Sequence, residues 1–150
     1  MKLLIFLVAT LFSQQAAQSQ ELIFRMNQYG VSYKDETTNK YTDAEIKATD
    51  VVITLQDKLV KVMGDDLATF SLQKMKTQNS NINHLYTQNW KANDNNKTPM
   101  TFKYTVNVET KEAMIEVAYK DFRNYYFGKF SYGNIENPDA KTHQPESAAN

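Results

Sequence analysis

A strict alternation of apolar and polar residues constrains this chain more than any other feature. From Thr101 to Glu109, Phe102, Tyr104, Val106 and Val108 fall on one side, with Thr101, Lys103, Thr105, Asn107 and Glu109 on the other. Successive side chains of an extended strand point to opposite faces, so this segment is a strand with one face on a core and one in water. Glu109-Thr110-Lys111-Glu112 is a polar turn, and alternation resumes with Ile115, Val117 and Tyr119 inward and Glu116 and Lys120 outward. The two runs predict a hairpin. Helical periodicity is weak throughout, so the chain reads as all-β.

A second meander lies upstream. Val51, Ile53 and Leu55 alternate with Val52, Thr54 and Gln56; Asp57-Lys58 is a tight turn, and Leu59 to Met63 is a short strand. Gly64-Asp65-Asp66 supplies the next turn, where glycine can take positive φ and aspartate can bond its own backbone. Leu67 to Leu72 completes three strands spaced about eight residues apart, the rhythm of a sandwich or small barrel. Glu21 to Tyr33 reads as the first strand, kinked at Gly30. Ile82 to Trp90 reads as a strand between two polar stretches, Lys74 to Asn81 and Lys91 to Pro99, and Arg123 to Tyr132 as the last.

About eight antiparallel strands result. Sequential strands are usually sheet neighbours, so the default topology is a meander, closing as a small lipocalin-like barrel or a sandwich to hide its edges. An outer-membrane barrel needs strands of about ten residues with an outward apolar band. Leu59 to Met63 is too short, and the outward side of the strand at Thr101 carries lysine, asparagine and glutamate.

The first residues stand apart from this domain. Lys2 precedes the apolar run Leu3 to Phe12, and Ala17-Gln18-Ser19 fits the small-x-small pattern of a signal-peptide cleavage site. Residues 1–19 are therefore expected to be a cleaved signal, leaving a periplasmic or secreted product. Ten apolar residues reach only about 15 Å as a helix, half a bilayer core, which argues against an anchor. Residues 20–133 form the expected β domain. Residues 134–150, with Asn137-Pro138-Asp139 and His143 to Ser147, have the composition of a disordered polar tail.

Val51-Val52-Ile53, Asp57 to Val62, Gln88-Asn89-Trp90 and Ala118 to Phe122, in that order behind a signal peptide, resemble small secreted β-barrel or β-sandwich proteins of the Bacteroidota. The resemblance spans roughly Phe24 to Phe130. It implies the fold and an exported location, and it implies no particular chemistry.

The chain contains no cysteine, which removes disulfides, thiolate ligands and a cysteine nucleophile. Formal charge is balanced at 17 against 17, with no lysine or arginine run to neutralise phosphates, so no nucleic-acid partner is expected. No integral membrane association is expected after cleavage. Of the two histidines, His143 falls in the tail and His84 lacks the spacing of a metal site, so no metal and no cofactor is expected. The serines show no nucleophile motif, and the four glycines are scattered, so the chain is not read as an enzyme.

The feature that points to a function is aromatic. Phe122, Tyr125, Tyr126, Phe127, Phe130 and Tyr132 fall within eleven residues, and the consecutive Tyr125-Tyr126-Phe127 must divide between the two faces of a strand. Trp90, Tyr125, Tyr126 and Phe127 are the candidate ligand-binding residues, as a stacking platform or cavity mouth for a sugar or other apolar-faced ligand. The expected partner is a small molecule or an envelope protein.

Overall fold

The structure is a computed structural model that describes residues 21–82 and 84–133, without the side chains of 77–82. The expected signal segment and the expected tail lie outside the described residues, as does His143. Eight strands and no helix make up the described chain: β1 Leu22–Tyr33, β2 Glu45–Gln56, β3 Leu59–Met63, β4 Leu67–Ile82, β5 Leu85–Asp94, β6 Pro99–Asn107, β7 Glu112–Ala118 and β8 Phe122–Tyr132. Each pairs antiparallel with the next, and β1 returns to β8 from Leu22↔Tyr132 to Tyr33↔Phe122. The sheet is a closed up-and-down barrel, so the sandwich alternative falls away.

An eight-stranded barrel has an interior just wide enough for side chains to fill. Here the middle is full. Phe24, Ile53, Val60, Phe102 and Ile115 have no exposed surface, and Met26 and Val117 have almost none. All of them occupy the inward side of the alternation, which is why β6 reads as buried at every second residue from Met100 to Val106. Burying each such side chain contributes roughly 1.5–3 kcal/mol, so the plug holds all eight strands to one centre.

The closing seam is irregular. Its register shifts between Met26 and Gln28, leaving Asn27 as the extra residue of a bulge, while Gly30 pairs regularly with Ile46 and Tyr125. The strand is therefore re-aimed at the bulge rather than kinked at Gly30. Gly128 lies opposite the bulge, and a Cβ there would sit 2.1 Å from the Arg25 carbonyl oxygen. Only glycine lets the two backbones approach this closely.

Turns depart from expectation too. Gly64 does not use positive φ; Asn39, Asp57, His84, Lys97 and Lys111 do, one at each of five bends. Aspartate and asparagine tolerate that conformation through local hydrogen bonds, whereas lysine carries a steric cost. The β4–β5 hairpin runs further than its polar composition implies. β4 continues to Ile82, and the connection to β6 shrinks to residues 95–98. Beyond Leu72 this hairpin has outrun the short β3, and pairs such as Gln78↔Gln88 and Asn79↔Thr87 carry it by backbone pairing with no apolar face to announce it.

Candidate functional site

Alternation fixes which residues reach the two ends of the barrel. At one end lie the start of β1, the β4–β5 hairpin, the β6–β7 turn and the end of β8. There Leu22, Tyr86, Tyr104, Val108 and Tyr132 line a hollow of about 360 Å³, within the size range of small-molecule sites. Tyr104 forms the floor, with its ring centroid 5.6 Å from that of Phe24 and 6.4 Å from those of Phe102 and Tyr86. Tyr132 and Val108 form an exposed rim.

A polar chain threads the cup. The Tyr104 hydroxyl donates to Gln88 Oε1 at 2.6 Å, and Gln88 Nε2 donates to the Tyr86 hydroxyl at 2.6 Å. Gln88 and Tyr86 are two residues apart on β5, so both face inward, and the chain runs from the core toward the mouth. Burial pushes the Tyr104 phenol well above its ordinary value, followed by the nearby Tyr86 and Tyr132 hydroxyls. It therefore stays a neutral donor, and its direction is set.

At the opposite end Tyr29 and Tyr119 are both committed. Tyr29 donates to Asn124 Oδ1 at 3.2 Å and lies 5.0 Å from Tyr126, ring to ring. Tyr119 stacks on Phe122 at 4.6 Å and donates to Asp94 Oδ2 at 3.4 Å. The other Asp94 oxygen accepts from the backbone N–H groups of Asn96 and Thr98. Burial, then the Asp94 charge, pushes Tyr119 up to about 12, and burial followed by Tyr29 and Tyr119 does the same to Tyr126. Outside this end, the Arg123 guanidinium lies 3.9 Å from the Tyr41 ring centroid, tying the β1–β2 connection to β8.

The four candidate residues divide. Tyr126 points inward at the committed end. Trp90 also points inward, opposite Phe102 and Met75, and its buried indole Nε1–H has no hydrogen-bond partner among the described residues. Tyr125 and Phe127 point outward. Phe127, with Gln28, Thr105, Glu112, Met114 and Lys129, lines an open hollow of about 490 Å³ on the outer wall. The fold does not bring these four together. Of the cup residues, Tyr104 and Val108 are apolar-face positions of the Thr101 strand and Tyr132 belongs to the aromatic run, while Gln88, a polar residue two positions from Tyr86 on the same face, is the signal for the chain that links them.

His84, in the β4–β5 turn, lies 3.6 Å from Glu109, with both side chains largely exposed. Among the described residues no group of three or more His, Asp or Glu side chains is arranged to hold a metal ion. No protein-family model matches the sequence, and no curated protein and no solved structure is significantly similar to it.

Proposed function

We propose that this chain is a ligand-binding module of the cell envelope or secreted fraction, taking a small ligand with an apolar ring face into the tyrosine cup. The carrying observation is the conjunction of an aromatic-lined hollow of about 360 Å³ with the hydrogen-bond chain Tyr104→Gln88→Tyr86 leading to its mouth. Aromatic walls hold a ring by its faces, and an ordered polar chain fixes its orientation. The polar groups of the lining are the phenols of Tyr86, Tyr104 and Tyr132, backed by the Gln88 amide, which supports holding a ligand over transforming one. The exported location rests on the apolar leader. The outward Lys103–Glu116 pair at 2.9 Å and the apolar interior fit a barrel in water, since membrane barrels place their apolar band outside.

The filled middle favours a second reading, an interaction module that holds no small ligand. Native mass spectrometry of the protein isolated from its host separates the two. Under the binding reading, extra mass disappears on denaturation. Adding the recovered compound back to stripped protein shifts the fluorescence of Trp90, the chain's single tryptophan. Tyr86→Phe, which removes one hydroxyl at the mouth, then weakens binding about 2- to 12-fold, the range of one ordinary hydrogen bond. Protein that is bare when isolated, or binding untouched by both Tyr86→Phe and Tyr132→Ala, would remove the cup from consideration.

A further inference from the structure

The outer wall carries a second feature, chemically unlike the cup. A hollow of about 400 Å³ crosses the wall from β4 to the end of β7, and its lining includes Lys76, Lys91 and Lys120 with Gln73, Asn93 and Thr101. The three lysines are far apart in sequence, and strand pairing assembles them. Lys91 pairs with Thr101, which pairs with Ala118, so the row runs straight across β5, β6 and β7. The register shift in β4 between Leu72 and Met75 sets Gln73 and Lys76 alongside it. Neighbouring strands lie about 4.8 Å apart, so the row spans roughly 14 Å from β4 to β7.

Three observations give the groove its chemistry. All three lysines are exposed, and none forms an ion pair among the described residues, where the other close pairs engage Lys47, His84, Lys103 and Arg123. The lining contains no carboxylate; Asp121 follows Lys120 in sequence but lies outside it. In a chain whose formal charge is balanced, a groove of one sign is a local departure. On β6 and β7 the lining has the small side chains of Thr101 and Ala118, and on β4 and β5 the amides of Gln73 and Asn93.

We infer that this groove binds an anionic oligosaccharide, one whose carboxylate or sulfate groups meet Lys76, Lys91 and Lys120 while its hydroxyls meet Gln73, Asn93 and Thr101. A nucleic acid fits less well. Single strands are held by bases stacking on aromatic rings, and the one ring in the groove, Tyr119, is already stacked on Phe122 and bonded to Asp94. The amides and hydroxyl suit a chain rich in hydroxyls, and the span accommodates two to three sugar units.

Isothermal titration of the full protein with a sulfated heparin-derived hexasaccharide and with a carboxylated oligogalacturonate tests this and distinguishes the two sources of charge. A neutral oligosaccharide and a single-stranded oligonucleotide serve as comparators. At least one anionic sugar is expected to bind more tightly than both comparators, and to weaken as salt rises because the contacts are exposed charges. The triple variant Lys76→Ala, Lys91→Ala, Lys120→Ala should lose at least about 30-fold, roughly 2 kcal/mol at 1.4 kcal/mol per tenfold. The Lys61→Ala variant, altered on β3 away from the groove, should bind as the parent does. All three positions are exposed, and an unchanged melting temperature establishes that the triple variant folds. Should it melt early, the single variant Lys91→Glu replaces it, with the same loss expected. Binding of neither anionic sugar at low salt, equal binding by the groove variant, or tighter binding of the oligonucleotide would overturn the inference.

Discussion

At one end of the barrel, Tyr119 gives its hydroxyl to Asp94, and Asp94 spends its second oxygen on the N–H groups of Asn96 and Thr98. At the other end, Tyr104 gives its hydroxyl to Gln88, whose amide passes the direction on to Tyr86. The same phenol serves both ends, and the acceptor decides the outcome. A carboxylate anchored in a turn ends the chain and locks the tyrosine to that turn. A neutral amide on a strand accepts and donates together, so the chain continues toward the mouth. Charge at one end makes a structural clasp, and its absence at the other leaves a lining able to address a ligand.

This contrast requires both ends to rest on one plug, and the largest expected effect tests that. Phe102 is fully buried, with its ring near Tyr104 and its backbone paired to Trp90 and Val117. Phe102→Ala should cost about 3–5 kcal/mol through lost burial and a residual cavity. Urea unfolding followed by Trp90 fluorescence and by far-ultraviolet circular dichroism should move to lower denaturant in a single coincident step. Two separated steps would show that the ends unfold independently and that the contrast belongs to two local structures.

The clasp predicts a smaller and local loss. Asp94→Ala removes the acceptor of three hydrogen bonds at once and should cost about 1–3 kcal/mol. Amide exchange should accelerate in residues 95–98 and leave the Tyr86 and Gln88 amides unchanged. Alkaline titration reads the same clasp. Tyr119 and Tyr126 are raised in the folded state to about 12 from an ordinary value of 10. Their contribution is therefore intact below about pH 10 and is lost as pH climbs toward 12. Ultraviolet titration should find these phenols ionising after the exposed ones, and Asp94→Ala should bring Tyr119 down. If Asp94→Ala quickened exchange equally at the cup, the two ends would have to be treated as one polar network.

How far the sequence forecasts this contrast depends on the range of the forces involved. The alternation at Phe102, Tyr104 and Val106, and at Val60 and Val62, is a local consequence of the pleat, and it identifies strands, faces and plug directly. Closure of Leu22–Tyr33 on Phe122–Tyr132 joins segments about a hundred residues apart, and no local pattern encodes it. One arm of the hairpin, from Lys74 to Asn81, is invisible for another reason. Gln78 and Asn79 pair through their backbones with Gln88 and Thr87, so composition alone reads that arm as a polar connection. The aromatic run shows both limits. Alternation correctly divides Tyr125-Tyr126-Phe127 between faces, yet it cannot say that Tyr126 meets Tyr29, or that the open cup draws on Tyr86, Tyr104 and Tyr132 from three other positions. Lys76, Lys91 and Lys120 are equally silent until pairing aligns them.

The smallest effect on stability falls at the cup rim, and there the contrast is sharpest. Tyr132 is half exposed, its ring edge-on to Phe130 at 5.5 Å. Tyr126 is packed inward against Tyr29 and belongs to the group around the core. Truncating each to alanine removes the same atoms from two different settings. Tyr132→Ala loses an edge contact and little buried area, about 0.5–1.5 kcal/mol. Tyr126→Ala opens a cavity and should cost about 3 kcal/mol or more. Thermal unfolding of the pair therefore ranks them opposite to their expected effect on ligand: Tyr132→Ala melts near the parent yet loses binding, because it forms one wall of the hollow. Equal destabilisation by the two variants would mean that Tyr132 is a clasp as well, and that the cup is closed by its own rim.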